Sequence, residues 1–439
     1  MYTKESFFID RKNKGSLCFA PSTSMYIGHQ GEITACCINK KNVLGKYPEE
    51  SLMKIWTGEK YRKMREELKS FVFSDGCRKC ERLISNNNFA TLKIPIHDRT
   101  ASNYFNLPER LYLELDNKCN LMCTMCCGKF SSKILKHIER KPEYKSPYLN
   151  DNFFNELKPF LKNAHFIDYY GGEPFLIDIY YKIWEFLIKD NINSQQYIQT
   201  NGTVFNKKIS DIVTNLNVNI SISLDSVNED TYSKIRIGSN YTLVIDNLLK
   251  FNQILKNKNK NLYISAVLCK DNFRELIDFY SFCQKNQLIL YFHELDRPRN
   301  LSVYNIEYND LKDFLLEINK KIQNIKKISD IDSLNLKTVI SQIKFLEKIK
   351  FNMENAKASN FSYINFIENY FPQYLKITKN KLAEFQVTDF DICNSMQFRT
   401  MNACEESDIN NHLFKDILSL TEEQYTVEIS EFFLSLKKP

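Results

Sequence analysis

The sequence contains no long hydrophobic run. Hydrophobic residues make up 43% of the 439 residues, yet no stretch reaches the roughly 18 apolar residues of a membrane span. The first residues, 1–11, also lack the apolar segment of a secretory signal. These absences argue against a membrane partner and predict a soluble, cytoplasmic protein. The length is enough for two or three domains.

A strong charge of one sign is missing as well. The net charge of +7 is small for a chain of 439 residues, and charged residues make up an ordinary 26%. The lysines are scattered among asparagines instead of forming one basic cluster. We therefore expect no dedicated nucleic-acid partner.

Cysteine, by contrast, is plentiful. Thirteen cysteines in a chain expected to be cytoplasmic argue for metal or redox chemistry rather than for disulfides. Cys119, Cys123 and Cys126 form a CxxxCxxC pattern on one short segment. Three thiolates so close together can hold three irons of a cubane cluster, and the missing fourth ligand leaves one iron open. A zinc knuckle is the alternative, although zinc sites are more usually built from separate CxxC pairs with a fourth ligand.

The segments around these cysteines resemble those of the radical SAM enzymes. Alternating residues at 110–116 predict a strand directly before the cysteines, and the segment 166–175 contains Gly-Gly-Glu-Pro. Further along, Gln-Thr-Asn-Gly at 199–202 and Ser-Ile-Ser-Leu-Asp at 221–225 are similar to the ends of the family's third and fourth strands. One departure is Met125, which stands where many members carry an aromatic residue. A thioether can still cover an adenine face.

The resemblance implies an α/β fold built on a partial (β/α)6 TIM-type barrel. Strand and helix patterns alternate from about 108 to 296, which indicates a parallel sheet. The predicted strands are 110–116, 165–170, 195–200, 218–224, 262–268 and 287–293, with helices at 176–190, 241–257 and 272–285. Parallel barrels carry their chemistry at the carboxyl ends of the strands, where each of these motifs falls.

The resemblance also implies the site residues. Cys119, Cys123 and Cys126 would hold the catalytic [4Fe–4S] cluster. The residues expected to bind S-adenosylmethionine are Met125, Gly171, Gly172, Glu173, Asn201, Ser223, Asp225 and Arg236. Bare glycines let a backbone edge approach the amino group of the cofactor, and Glu173 would accept a hydrogen bond from that ammonium.

A second set of cysteines precedes the barrel. Cys18, Gly31 and Cys36 are followed by a Ser-Leu-x-x-Ile-Trp segment and then by Cys77 and Cys80 as a CxxC pair. This arrangement resembles the twitch (half-SPASM) module that holds an auxiliary cluster, here placed ahead of the barrel. A glycine at position 31 suits the tip of a short hairpin at 24–35.

Two alternatives remain open at this second set. Four thiolates would ligate a [4Fe–4S] cluster fully, but the same four could hold a structural zinc ion. Cys37 could replace Cys36. Neighbouring strand residues point to opposite faces, so both cannot bind one metal without a bulge. The spacing from Gly31 favours Cys36.

The predicted domains are residues 1–100, 101–300 and 301–439. The last is a helical C-terminal extension with patterns at 310–322, 330–351 and 363–385. Residues after the sixth strand (His293, Glu294, Asp296 and Arg297) either touch substrate or cap the barrel. Cys393 and Cys404 match no metal spacing that we recognise.

The family resemblance implies the reaction. One electron would cleave S-adenosylmethionine to a 5′-deoxyadenosyl radical, which would take a hydrogen atom from a peptide or small-molecule substrate. The second cluster would relay electrons, and an external donor such as flavodoxin or ferredoxin would supply them. The alternative is a non-catalytic iron–sulfur or zinc-binding redox sensor or scaffold on a barrel. It predicts bound metal without cofactor cleavage.

Overall fold

The computed structural model describes residues 3–85, 89, 92–100, 107–295, 298–323, 325 and 329–358. The predicted helix at 363–385 and the residues Asp296, Arg297, Cys393 and Cys404 lie outside the described residues. None of the helices in the described ranges is both long and apolar enough to cross a membrane. The chain forms two compact units. One comprises residues up to 266 together with 281–293, and the other comprises 267–280 with the described residues from 294 onward.

One sheet of nine strands organises the described chain, in the order β3-β2-β1-β4-β5-β6-β7-β8-β9. The strands are β1 (Ser24–Ile27), β2 (Glu32–Thr34), β3 (Gly45–Lys46), β4 (Arg110–Leu113), β5 (Phe166–Tyr169), β6 (Gln195–Thr200), β7 (Val218–Ser223), β8 (Tyr263–Leu268) and β9 (Ile289–Glu294). Strands β4 to β8 pair in parallel with their neighbours. The predicted α/β fold and its six strands, now β4 to β9, are confirmed.

Helices connect these strands. They are α1 (Lys4–Lys14), α2 (Ala20–Thr23), α3 (Leu52–Thr57), α4 (Glu59–Lys69), α5 (Arg78–Ser85), α6 (Ser132–His137), α7 (Asp151–Asn163), α8 (Asp178–Lys189), α9 (Lys207–Asn215), α10 (Glu229–Ile235), α11 (Tyr241–Asn257), α12 (Leu276–Asn286), α13 (Tyr308–Ile322) and α14 (Asp330–Ala358). Several begin at an asparagine or serine whose side chain accepts from a backbone N–H of the first turn, as Asn206 does for α9.

The predicted N-terminal hairpin is confirmed. Strands β1 and β2 pair antiparallel, with Tyr26 opposite Thr34. Gly31 lies in the turn with φ +92°, and a side chain there would collide with the carbonyl oxygen of Tyr47. Only glycine combines this positive φ with so close an approach of another backbone.

The sequence did not reveal where this hairpin would dock. Strand β1 pairs in parallel with β4, so that Ser24 lies opposite Arg110 and Ile27 opposite Leu113. The cysteine-bearing N-terminal segment therefore extends the barrel sheet beyond its first strand. The boundary near residue 100 stays a prediction, although residues on both sides of it belong to one compact unit.

Tyr180 of α8 fixes the edge of the sheet that carries the motifs. Its single O–H proton is shared between the carbonyls of Leu113 and Tyr170, at 2.9 and 2.8 Å, and its oxygen accepts from the amide of Leu115 at 3.0 Å. The ring is fully buried. A buried hydroxyl with all its partners satisfied holds the ends of β4 and β5 in register, where the cysteine segment begins.

The second compact unit contains α13 and α14, as the helical C-terminal prediction requires. Buried residues of both helices recur at helical spacing: Leu311, Phe314, Leu315 and Ile318 in α13, and Leu336, Val339, Ile343, Leu346 and Ile349 in α14. The two helices pack against each other, and Tyr308 Oη donates to Glu354 Oε1 at 2.6 Å. An apolar stripe on each helix explains the pairing.

Candidate active site

The segment 114–131, between β4 and α6, carries the CxxxCxxC pattern and is called the cysteine loop below. Its path is fixed by backbone hydrogen bonds: the amide of Met122 donates to the carbonyl of Ile237, and that of Thr124 to the carbonyl of Ile235, both at 2.9 Å. The amide of Cys119 donates to Ser132 Oγ at 3.1 Å. The three thiols are thus presented from a rigid loop at the carboxyl end of the first barrel strand.

Burial controls the protonation of these thiols. It raises the pKa of Cys119 to about 11 and that of Cys126 to about 12. Burial also raises the pKa of Cys123, although the nearby Arg236 guanidinium opposes the shift. Without metal the three are neutral thiols at pH 7, so binding iron must release their protons and will weaken as the pH falls.

Two side-chain donors point toward the sulfurs. Asn201 Nδ2 lies 3.9 Å from Cys119 Sγ, and Arg236 Nη1 lies 4.0 Å from Cys123 Sγ. Donors and a cation around the sulfurs favour anionic thiolates and tune a cluster that they hold. The donor set therefore fits an iron–sulfur cluster held by three thiolates. Asn120 Oδ1 accepts a hydrogen bond from Asn201 Nδ2 at 2.9 Å. Asn120 was not predicted as a site residue, although its position next to Cys119 could have indicated it.

Arg236 is held by a buried ion pair. Its Nε lies 2.7 Å from Asp225 Oδ2, and the side chains are 9% and 0% exposed. Asp225 follows β7, whereas Arg236 ends α10. The pair therefore ties the end of a barrel strand to the segment that holds the cysteine loop.

We expect Asp225→Asn to lower the free energy of unfolding by about 3–5 kcal/mol, because the guanidinium of Arg236 would stay buried without a counter-charge. Urea denaturation of the metal-free protein measures the loss. A second variant, Asp225→Asn with Arg236→Met, removes both charges and should recover much of the stability. A loss of less than 1 kcal/mol in the single variant would contradict this expectation.

The Gly-Gly segment packs on the cysteine loop itself. Gly171 and Gly172 have φ +79° and +33°, and a side chain at either position would collide with the carbonyl of Asp116 or Lys118. The amide of Glu173 donates to the carbonyl of Lys118 at 2.8 Å. Glycine is therefore required at positions 171 and 172 because the backbone at the start of the cysteine loop packs directly against them. The expected approach of this backbone to the cofactor's amino group stays a prediction.

Glu173 is completely buried and already has three donors. Its carboxylate accepts from Thr200 Oγ1 at 2.7 Å, from the amide of Asn201 at 2.6 Å and from the amide of Phe175 at 3.1 Å. The side chain thus ties the segment after β5 to the end of β6. Its contact with the cofactor ammonium remains a prediction, and the structure adds a positioning role that the sequence did not suggest.

We expect Glu173→Ala to weaken S-adenosylmethionine binding about ten- to hundredfold, because a charge-assisted hydrogen bond is worth roughly 1.5–3 kcal/mol. It should also destabilise the fold, since each buried donor left unsatisfied costs about 1–3 kcal/mol. Glu173→Gln keeps the shape and one acceptor oxygen but loses the charge and turns an NH2 toward one of the donors, so its affinity must be compared with its own loss of stability. Equilibrium binding to the iron-loaded protein, together with urea denaturation, measures both. Unchanged affinity in Glu173→Gln would contradict the predicted hydrogen bond between Glu173 and the cofactor ammonium.

The remaining predicted cofactor residues lie at the same edge. Asn201 follows β6, and Ser223 ends β7, where its Oγ accepts from Gln199 Nε2 at 3.2 Å. Met125 lies on the cysteine loop and is partly exposed. The structure therefore brings the loop, the Gly-Gly segment and the ends of β6 and β7 together. These roles toward the cofactor stay predictions.

The four N-terminal cysteines also lie close to one another. Burial raises the pKa of Cys18 well above its usual range, and the neighbouring thiols of Cys36, Cys80 and Cys77 raise it further. Backbone amides point at two of the sulfurs: Ala20 N lies 3.4 Å from Cys18 Sγ, and Asn39 N lies 3.4 Å from Cys36 Sγ.

The side chain of Asn39 points at a third sulfur of this set. Its Nδ2 lies 3.5 Å from Cys77 Sγ. Donors toward sulfur fit thiolates that carry a cluster. Asn39 was missed from the sequence. Its position shortly after Cys36 was the signal.

Cys37 also lies near the other N-terminal thiols. Burial raises its pKa to about 12, with smaller contributions from Cys36 and from Asp168 of β5. Cys37 in turn raises the pKa of Cys80, as Cys36 does. The amide of Asn39 points at the sulfur of Cys36, and Cys36 as the fourth ligand stays a prediction. In the described ranges, no three His, Cys, Asp or Glu side chains are arranged to hold a single metal ion. Metal analysis must decide between zinc and a cluster.

Comparison with known families agrees with this geometry. Residues 113–283 match the radical SAM superfamily, and residues 18–81 match the SPASM iron–sulfur cluster-binding domain. The predicted resemblance to the radical SAM enzymes, with an iron–sulfur module ahead of the barrel, is therefore confirmed over these two segments. The second match covers all four N-terminal cysteines and lies ahead of the barrel, where the sequence analysis placed the auxiliary module.

Curated relatives match over part of their length. A cysteine-type anaerobic sulfatase-maturating enzyme of Clostridium novyi is 29% identical over 215 residues, covering 45% of this chain and 55% of the relative. An uncharacterized protein of Methanocaldococcus jannaschii is 29% identical over 178 residues, covering 40% of this chain and 58% of the relative. The chain thus spans little more than half the length of these relatives.

Among solved structures, Streptococcus suis SuiB bound to S-adenosylmethionine aligns with a TM-score of 0.37 and 15% identity. The alignment covers 62% of this chain and 61% of SuiB.

The two matched domains imply the cofactors. The radical SAM domain implies a [4Fe–4S] cluster and S-adenosylmethionine, and the SPASM domain implies an additional iron–sulfur cluster. The two groups of thiols described above, each with N–H donors directed at its sulfurs, are the places in this chain that fit them.

Proposed function

We propose that this protein cleaves S-adenosylmethionine reductively and uses the resulting radical to take a hydrogen atom from a peptide substrate. The observation that carries the proposal is the meeting of the three-cysteine loop, the Gly-Gly segment and the ends of β6 and β7 at one edge of a parallel sheet. When bound, a three-cysteine cluster with S-adenosylmethionine supplies one-electron cleavage of a sulfonium.

The residues of this chain would hold and orient that cofactor. Cys119, Cys123 and Cys126 would bind three irons, leaving the fourth open. Asn201 and Arg236 would stabilise the thiolates through the contacts already described. Because Arg236 is charge-paired with Asp225, it can lie beside a sulfur without leaving a buried charge uncompensated.

The N-terminal thiols would hold a second [4Fe–4S] cluster through Cys18, Cys36, Cys77 and Cys80. With four protein ligands it would have no open iron, which suits electron transfer rather than substrate binding. The pairing of β1 with β4 supports this role, because it joins the segment after Cys18 to the strand that leads to Cys119. An external electron donor would reduce the catalytic cluster.

A peptide substrate is supported by the similarity to the sulfatase-maturating enzyme, whose name indicates that it acts on another protein. The first probe is therefore a cysteine-containing peptide from a bacterial sulfatase. Its mass and the amount of 5′-deoxyadenosine would be compared with a reaction without peptide.

Anaerobic reconstitution with iron and sulfide, followed by dithionite and S-adenosylmethionine, tests the activity itself. We expect 5′-deoxyadenosine and methionine in equal amounts. Bound iron without any 5′-deoxyadenosine would favour the redox sensor or scaffold instead. The dithionite reaction needs neither the peptide nor the protein donor, so its outcome is independent of those two assignments.

A further inference from the structure

Lys40 lies on the segment 35–44 that joins β2 to β3, called the auxiliary loop below. Its Nζ is 2.9 Å from Glu114 Oε2, the carboxylate at the start of the cysteine loop. The ammonium also lies over the ring of Phe130, 5.3 Å from its centroid, near the other end of the cysteine loop. One side chain of the auxiliary loop therefore contacts both ends of the loop that carries the catalytic cysteines.

The same lysine is connected to the N-terminal sulfurs. It directly follows Asn39, whose amide and side chain point at the sulfurs of Cys36 and Cys77. The Lys40 ammonium also lies 4.5 Å from the centroid of the Tyr26 ring on β1. Lys40 is therefore adjacent in sequence to the residue whose donors face two of the proposed ligands.

Glu114 anchors this contact. It is 3% exposed, and its second partner is His29 Nδ1 at 3.4 Å. Burial alone would raise its pKa, but His29 and Lys40 together hold the pKa at about 2, so the carboxylate is charged at neutral pH. A Cβ atom added to Gly171 would lie 3.0 Å from the Cγ atom of Glu114. Glu114 thus also touches the Gly-Gly segment.

We propose that Lys40 is a positioning residue that fixes the auxiliary loop, and with it the N-terminal metal site, against the cysteine loop. The inference rests on the proposed function for the identity of the two metal sites. The position of the lysine is independent of it. Its ammonium, held by Glu114 and by two aromatic rings, joins the auxiliary loop directly to the two ends of the cysteine loop.

This role makes Lys40 different from the neighbouring lysine. Lys41 is exposed, whereas Lys40 is partly buried against its partners. Lys41→Met is therefore a matched control for Lys40→Met. Lys40→Arg keeps the charge and should restore the parent behaviour. The double variant Lys40→Met with Glu114→Gln removes both charges, so that no buried carboxylate is left without its main partner.

Hydrogen exchange of the metal-loaded full chain gives the first readout. In Lys40→Met we expect the amides of the auxiliary loop and of residues 126–131 to exchange at least about tenfold faster. Lys41→Met should leave them unchanged, and Lys40→Arg should recover most of the protection. Faster exchange should persist in the double variant, because the link is still missing. Parent-like exchange in Lys40→Met or in the double variant would overturn the proposal.

The second readout is the midpoint potential of the N-terminal cluster, from an EPR-monitored redox titration. A nearby cation favours the reduced cluster, so the potential should fall in Lys40→Met. The double variant restores the charge balance. A potential that stays shifted there supports positioning, whereas a return to the parent value would show a simple charge effect and overturn it. If metal analysis found zinc at this site, the proposed auxiliary cluster would fail, but the exchange experiment would still decide the positioning role.

Discussion

Replacing Cys119, Cys123 and Cys126 together by alanine should remove about four irons per chain and abolish 5′-deoxyadenosine formation. The three thiols lie on one loop that backbone hydrogen bonds hold to residues 235 and 237. The open coordination position would be lost with the cluster, and with it the place where cofactor cleavage is proposed. Iron analysis and product chromatography after reduction with dithionite measure both effects.

Cys127→Ala is the matched control for this experiment. Cys127 adjoins Cys126 but is exposed and lies outside the CxxxCxxC pattern. We expect the parent iron content and the parent rate of cofactor cleavage. Cleavage that continued in the triple variant would mean that the site had been assigned to the wrong residues.

Replacing Cys77 and Cys80 by alanine should remove the N-terminal cluster alone. Total iron should fall from about eight to about four per chain, because a [4Fe–4S] cluster rarely survives the loss of two of four ligands. Cleavage of S-adenosylmethionine by dithionite should persist, since the cysteine loop is untouched. Turnover of the substrate should stall, because the proposed electron relay would be gone. Mössbauer spectroscopy and metal analysis of the reconstituted protein measure the change.

Cys37→Ala is the control at the N-terminal site. Cys37 is adjacent to Cys36, and both thiols raise the pKa of Cys80. Because the spacing from Gly31 favours Cys36 as the ligand, we expect Cys37→Ala to keep both clusters. One zinc and about four irons in the parent protein would identify a structural zinc site instead, and the relay would have to be abandoned. Loss of iron in Cys37→Ala would show that Cys37, and not Cys36, is the fourth ligand of the cluster.

The structure changes how two of the sequence motifs are understood. The Gly-Gly-Glu segment was expected to face the cofactor. It also packs against the cysteine loop, because its glycines leave room for the carbonyls of Asp116 and Lys118. In addition, Glu173 accepts hydrogen bonds from residues 175, 200 and 201 and so holds the segment to the end of β6. A substitution there will therefore mix effects on binding with effects on folding, so affinity and stability have to be measured on the same variant.

Much of this protein could be read from local sequence. The strand–helix alternation, the hairpin glycine at position 31 and the spacing of the two cysteine sets are patterns within short segments, where backbone geometry limits what each residue type can do. Those patterns predicted β4 to β9 and the hairpin. They also led to the family that residues 113–283 match.

Only the tertiary structure decided how the segments meet. The parallel pairing of β1 with β4 joins residues 24–27 to 110–113, and the contact of Lys40 with Glu114 and Phe130 joins three separate segments. The side chain of Asn39, which points at Cys77 Sγ, likewise joins positions 38 residues apart in the chain. Such contacts form between residues far apart in the chain, and they depend on packing and charge in the folded state, which no local pattern encodes.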